Sequence, residues 1–167
     1  MKKILSLTMA LAMLGTALTG CGSRDAAAQT PAENTQQTVP VQQEQSQTEK
    51  ALALINAFAT GDTNTARSLL SDGYIQHNLA YGTGADAFVG SVEYLASADV
   101  KTTVNNIRAF EGGDKVFLQT IYNFAGAGEQ VAFDIFRFDE DGKIAEHWDV
   151  METIADQSTW QNQNGKF

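Results

Sequence analysis

Near residue 100 the chain changes its periodicity, and that change restricts the folds open to it more than any other feature of the sequence. Before it, apolar residues recur at helical spacing. Ala51, Leu54, Ile55 and Phe58 fall at i, i+3, i+4 and i+7 behind Thr48, which can cap a helix that Gly61 ends. Asp62 opens a shorter second helix with Ala66, Leu69 and Leu70 on its apolar face and Gly73 closing it in the left-handed conformation. Residues 74–78 read as a short extended piece. Beyond the Gly82-Thr83-Gly84 loop, Phe88, Val89, Val92 and Leu95 mark a third helix to about residue 98. Four β-rich runs follow at residues 101–110, 115–124, 130–138 and 143–153, parted by Gly112-Gly113, Gly126-Ala127-Gly128 and Asp141-Gly142. Helices first and a meander afterwards is the α+β pattern, with helices packed on one face of a curved antiparallel sheet.

These elements occupy residues 49–167, enough for one domain and too few for two. Residues 22–48 hold few large apolar side chains and both prolines, Pro31 and Pro40. Such a composition cannot bury enough apolar surface to offset the entropy of ordering. It reads as a tether with a random-coil span on the order of 30 Å. Residues 1–20 begin with Lys2 and Lys3, continue uncharged through Leu18 and end in small residues, the pattern of a secretory signal peptide. Leu18-Thr19-Gly20-Cys21 resembles the lipobox at which bacterial lipoproteins are acylated on the thiol and cleaved before it. Cys21 is the single cysteine of the chain, so an intramolecular disulfide is excluded. Two or more acyl chains of the palmitate type anchor a protein stably where one does not. The expectation is a lipoprotein of the cell envelope, held to a membrane through Cys21 and exposed outside the cytoplasm. A formal charge of −9 argues against nucleic acid as a partner and against electrostatic adhesion to anionic lipid.

Asp134 is the residue most suggestive of chemistry. It lies between Phe133 and Ile135 in the third β-rich run, where an ionised carboxylate is costly to bury unless paired. Strand alternation puts it on one face with Ala132, Phe136 and Phe138. The next strand brings His147, Trp148 and Asp149. A two-residue turn at Glu140-Asp141 places Asp134 opposite His147 and diagonal to Asp149, whereas a three-residue loop with a bulge at Gly142 places Trp148 opposite. The first register is the one that groups Asp134, His147 and Asp149. His77, with Tyr74, Tyr81 and Tyr122, supplies further hydrogen-bonding groups for a substrate. Asp139, Glu140 and Asp141 lack the spacing of a calcium loop, and two histidines with no cysteine in the domain offer a transition metal little, so no metal is expected. No phosphate-binding glycine loop, nucleophile elbow or dinucleotide fingerprint occurs, and no cofactor is expected.

The Tyr74-Ile75-Gln76-His77-Asn78 segment, the Phe133-Asp134-Ile135-Phe136-Arg137-Phe138 strand and the Gly142-Lys143-Ile144-Ala145-Glu146-His147-Trp148-Asp149-Val150 stretch together resemble the SnoaL-like branch of the nuclear-transport-factor-2-like superfamily. The resemblance implies a cone-shaped α+β barrel around an apolar pocket, a fold shared by polyketide cyclases, ketosteroid isomerases, epoxide hydrolases and non-catalytic proteins. It gives Asp134 the position of the cyclases' acid/base aspartate and sets His77 at the pocket mouth. The implied ligand is a small carbonyl-bearing or hydrophobic molecule. The implied chemistry is that of an aldol-type cyclase, isomerase or lyase, with Asp134, His147 and Asp149 catalytic and His77, Tyr74, Tyr122 and Trp148 binding substrate. A non-catalytic binding or protein-interaction lipoprotein is the alternative, and a homodimer through the sheet is a further implied partner. Two departures bear on this: residues 119–122 hold no histidine pair, and Ala132 stands where the hydrolase pattern has arginine.

Overall fold

The computed structural model describes residues 45–167. The lipobox, the acylation expected at Cys21 and residues 22–44 of the expected tether, with both prolines, lie outside those residues, while residues 47 and 48 at its expected end are helical.

The first helix, α1, runs over Gln47–Thr60. Its cap is Ser46 rather than the expected Thr48. Ser46 Oγ accepts from the Glu49 N–H at 3.1 Å while Glu49 Oε2 accepts from the Ser46 N–H at 2.8 Å, which satisfies two end donors reciprocally. Thr48 is thereby free for a tertiary role, and both its N–H and its hydroxyl donate to Glu111. Ala51, Leu54 and Ile55 are buried as their spacing requires. Gly61 ends the helix at φ +74°, and a Cβ there would stand 2.9 Å from that of Ala96, so glycine is required on both conformational and steric grounds.

Asp62 caps α2 (Thr63–Leu69) through the Thr65 N–H. The chain then turns directly into β1 (Leu70–Gln76). Gly73 is therefore not a helix terminator, and its φ is not positive. Leu70 already has extended geometry and pairs with Ile144, so sheet pairing ends the helix before the glycine is reached. α3 spans Ala85–Ser97 and buries Phe88, Val89 and Val92.

Four further strands, β2 (Thr103–Gly112), β3 (Lys115–Asn123), β4 (Gln130–Phe138) and β5 (Ile144–Thr153), complete a sheet of order β1-β5-β4-β3-β2. β2 to β5 form the expected antiparallel meander, but β1 joins its edge parallel to β5, so the sheet is mixed. The helices cover one face, and Val116, Leu118, Tyr122, Ala132, Phe136 and Ile144 meet them there.

The β4–β5 register decides what shares that face. Asp139 N–H donates to the Lys143 carbonyl and Gly142 has φ +68°, so the loop is the three-residue one. Taken alone it would set Trp148 opposite Asp134. A second irregularity follows at once, because Phe138 pairs with Ile144 but Arg137 pairs with Glu146, leaving Ala145 as an extra residue. The slip places Asp134 opposite Asp149 and Phe136 opposite His147. Neither register read from the sequence is the observed one. The second bulge nevertheless restores the parity of the first, and Asp134, His147 and Asp149 do share the inner face.

Candidate functional site

Between the inner face, α1 and α3 lies a cavity of about 60 Å³. Its walls are mainly apolar and aromatic, among them Phe58, Phe88, Phe124 and Phe136. Its polar floor consists of Gln76, Tyr122, Asp134, His147 and Asp149.

Asp134 is 3 % exposed. One of its oxygens accepts from the Tyr122 hydroxyl at 3.0 Å, the other from His147 Nε2 at 3.2 Å. Tyr122 starts opposite Gln130, and the small Thr120 and Ala132 occupy the next row along. Its burial and the negative charge of Asp134 push the phenol well above its usual range, so it acts as a donor. Phe136 stacks on the His147 ring at 4.5 Å and 9° and holds it flat against the strand pair.

The tautomer of His147 follows from its other neighbour. Gln76 Nε2 lies 3.1 Å from His147 Nδ1, and the Asn78 N–H donates to Gln76 Oε1 at 2.9 Å. The amide is thereby oriented with its NH2 toward the ring, so Nδ1 must be the acceptor and Nε2 must carry the hydrogen directed at Asp134. His147 is a neutral imidazole serving a carboxylate. The segment that follows β1 also holds Asp149: the Ala80 N–H donates to Asn78 Oδ1, which turns Asn78 Nδ2 toward Asp149 Oδ1 at 2.7 Å.

Asp134, His147 and Asp149 also place three ligand-type atoms within 4.8 Å of one another. To offer Nε2 to a cation His147 would need its hydrogen on Nδ1, and there it meets the NH2 of Gln76 rather than an acceptor. The donor set as held here does not suit a metal.

Of the residues selected from the sequence, Asp134, His147, Asp149 and Tyr122 are brought together, and Tyr81 lines the cavity where it reaches the surface. Tyr74 is buried one step behind. Its hydroxyl accepts from Gln76 at 3.3 Å, and burial with the charges of Asp149 and Asp134 raises it far above its ordinary range. His77 and Trp148 are elsewhere. They stack on each other at 4.5 Å and 7° on the opposite face, where His77 Nε2 also meets Glu146 at 2.9 Å. Neither lines the cavity, because Tyr74 faces the core and strand alternation then turns Gln76 inward and His77 outward. Gln76 and Asn78 are the residues the sequence reading passed over. Alternation from Tyr74 was the signal available for Gln76, whereas Asn78 belongs to the loop and had none.

A family profile described as a SnoaL-like domain matches residues 51–147. Among solved structures, an NTF2-like protein of unknown function from Cytophaga hutchinsonii superposes with a TM-score of 0.57 at 17% identity over 66% of this chain and 94% of its own. An LEH-like epoxide hydrolase of M. tuberculosis gives 0.56 at 17% identity over 64% and 82% of the two chains. IdmH from Streptomyces antibioticus, described as a candidate polyketide cyclase, gives 0.52 at 18% identity over 65% and 93%. At these identities the structures are similar in fold alone. No curated protein matches the chain.

Proposed function

Because the chain belongs to the SnoaL-like family, whose fold here frames a cavity with a paired carboxylate on its floor, we propose that it is a pocket protein with acid/base chemistry centred on Asp134. The observation that carries this reading is a buried carboxylate, held by Tyr122 and a neutral His147, opening on an apolar cavity. Asp134 takes a proton from, or returns one to, carbon beside a carbonyl in a small, largely apolar molecule. His147 and Tyr122 hold its oxygens in place and strengthen or relax their hydrogen bonds as its charge changes. Asp149 shapes the field next to it. The reaction class is an isomerase, cyclase or aldol-type lyase, consistent with the cyclase and hydrolase names attached to proteins of similar fold.

The test needs no knowledge of the natural substrate. Exchange of α-hydrogens for deuterium in small cyclic ketones, followed by proton NMR, reads the proposed step directly. The full chain accelerates exchange and Asp134→Asn does not. Equal exchange by the two proteins would remove Asp134 from the chemistry.

The sequence supports a membrane-tethered protein, acylated on Cys21 and displayed from the cell envelope on the segment that precedes α1. Cys21→Ser is expected to move the protein from the membrane to the soluble fraction and to abolish incorporation of labelled palmitate. Retention of the unlabelled variant in membranes would overturn the anchor.

A non-catalytic interaction role draws support from the other face of the sheet. Phe117, Phe133 and Val150 lie there with 46 %, 56 % and 73 % of their surface exposed. Gln119, between Phe117 and Ile121, is covered by the C-terminal segment through the Lys166 carbonyl. A homodimer through this face would bury the remainder, and sedimentation equilibrium reads it.

A further inference from the structure

The cavity floor is rich in acceptors and poor in uncommitted donors. Tyr122 O–H and His147 Nε2–H both point to Asp134, Gln76 faces His147 and Tyr74, the Ser91 hydroxyl donates to the Ala87 carbonyl, and the uncommitted Tyr81 hydroxyl belongs to a half-exposed side chain away from the floor. The carboxylates retain capacity. Asp134 accepts two hydrogen bonds where about four sites exist on a carboxylate. Asp149 accepts one, on Oδ1, and no donor among the described residues reaches Oδ2.

Charge is equally one-sided. Asp134 and Asp149 stand directly opposite across β4 and β5, an arrangement in which like charges repel. No lysine or arginine lines the cavity among the described residues. Arg137 is on the other face, bound to Glu146, and His147 is neutral. Burial first, and then the two nearby carboxylates, hold the Tyr74 and Tyr122 hydroxyls above their ordinary range.

Around this floor the walls are aromatic, and the negative faces of aromatic rings attract cations as carboxylates do. Tyr81, Ser91, Leu95 and Phe124 also line a neighbouring groove along α3.

We infer that the ligand of this cavity is an organic cation: a protonated amine that donates to Asp134 and Asp149, carried on an apolar body that lies among the aromatic walls. The inference rests on the cavity reading given above and narrows its ligand class. An ammonium group supplies the N–H donors that the floor lacks and the charge that relieves the Asp134–Asp149 repulsion. A metal ion would supply the charge but would require the His147 tautomer that the Gln76 amide opposes.

Three probes of one shape and different charge decide it. Benzylamine, benzyl alcohol and benzoate are titrated into the full chain at neutral pH while the Met151 methyl and Gln76 side-chain amide signals are followed by NMR, since both residues line the cavity. Benzylamine is expected to bind about tenfold more tightly than benzyl alcohol, and benzoate not to move either signal. Asp149→Asn should remove about half or more of that preference. Equal binding of amine and alcohol, or preference for benzoate, would overturn the cation and leave the cavity reading standing. Failure of all three to move the signals would overturn both. Displacement of benzylamine by zinc from the wild type but not from Asp149→Asn would replace the organic cation by a metal. If Asp149→Asn does not fold, the ranking of the three probes on the wild type is decisive alone.

Discussion

The same strand builds two histidine–carboxylate pairs, one on each face of the sheet. Inward, His147 pairs with Asp134 at 3.2 Å, with side chains 8 % and 4 % exposed. Outward, His77 pairs with Glu146 at 2.9 Å, with side chains 37 % and 19 % exposed. The outer pair is the shorter, and Arg137 holds Glu146 from a second side. Distance alone would rank it first. Burial reverses the order, because an ion pair near solvent contributes little and is readily replaced by water, whereas a buried carboxylate must be fully accommodated by its surroundings. The inner pair has that accommodation in Tyr122, Gln76 and Phe136, and it faces an empty volume. The outer pair is capped by Trp148 and lies on the sheet face away from that cavity.

The largest difference between the faces is expected in chemistry. Asp134→Asn should reduce α-hydrogen exchange by about a hundredfold or more, the usual contribution of a positioned acid/base group. Glu146→Gln should leave the rate within about twofold, since it touches no cavity residue other than through the strand they share. A comparable loss in both variants would erase the distinction between the faces.

Next in size is stability. Tyr122→Phe withdraws one of the two donors from a buried carboxylate and should cost about 1–3 kcal/mol in urea denaturation. Glu146→Gln should cost less than about 1 kcal/mol under the same conditions. If the outer substitution were the more damaging, the burial argument would fail.

The smallest effect concerns acid. The hydrogen bonds from His77 and from Arg137 hold the Glu146 carboxyl below its usual range. A depressed carboxyl contributes stability that is fully present above its unfolded value and is lost as pH falls through its folded one. The melting-temperature gap between wild type and Glu146→Gln should therefore be widest near neutrality and close below about pH 4. A gap indifferent to pH would show that Glu146 is held by packing rather than by charge.

These faces also show what the sequence could disclose. Strands β2 to β5 were legible because period-two apolar residues and glycine turns are local signals. The membership of Asp134 in the inner face was legible for the same reason. Its partners were less so. Whether His147 and Asp149 join it depends on the sum of two bulges, at Gly142 and Ala145, and only the glycine announces itself. His77 was placed at the pocket by resemblance, although alternation from the buried Tyr74 already turned it outward. Ser46 and Thr48 compete for the same helix cap, and the local Ser46–Glu49 capping box settles the matter, leaving Thr48 to bond Glu111. Gly73 suggested a helix end that pairing of Leu70 with Ile144 overrides. For the second bulge and the end of α2 the missing information was strand pairing between residues far apart in the chain, whereas His77 and the Ser46 cap were open to local signals.

The central claim is that Gln76 fixes His147 as a neutral donor to Asp134, which leaves the carboxylate as the group that handles protons. Long-range proton–nitrogen correlation NMR of the His147 ring, in the full chain at neutral pH, tests it most directly. The account requires Nδ1 to resonate as an unprotonated nitrogen and Nε2 as a protonated one, with Gln76→Leu relaxing that preference. A protonated Nδ1 in the wild type, whether in the other tautomer or in an imidazolium, would contradict it.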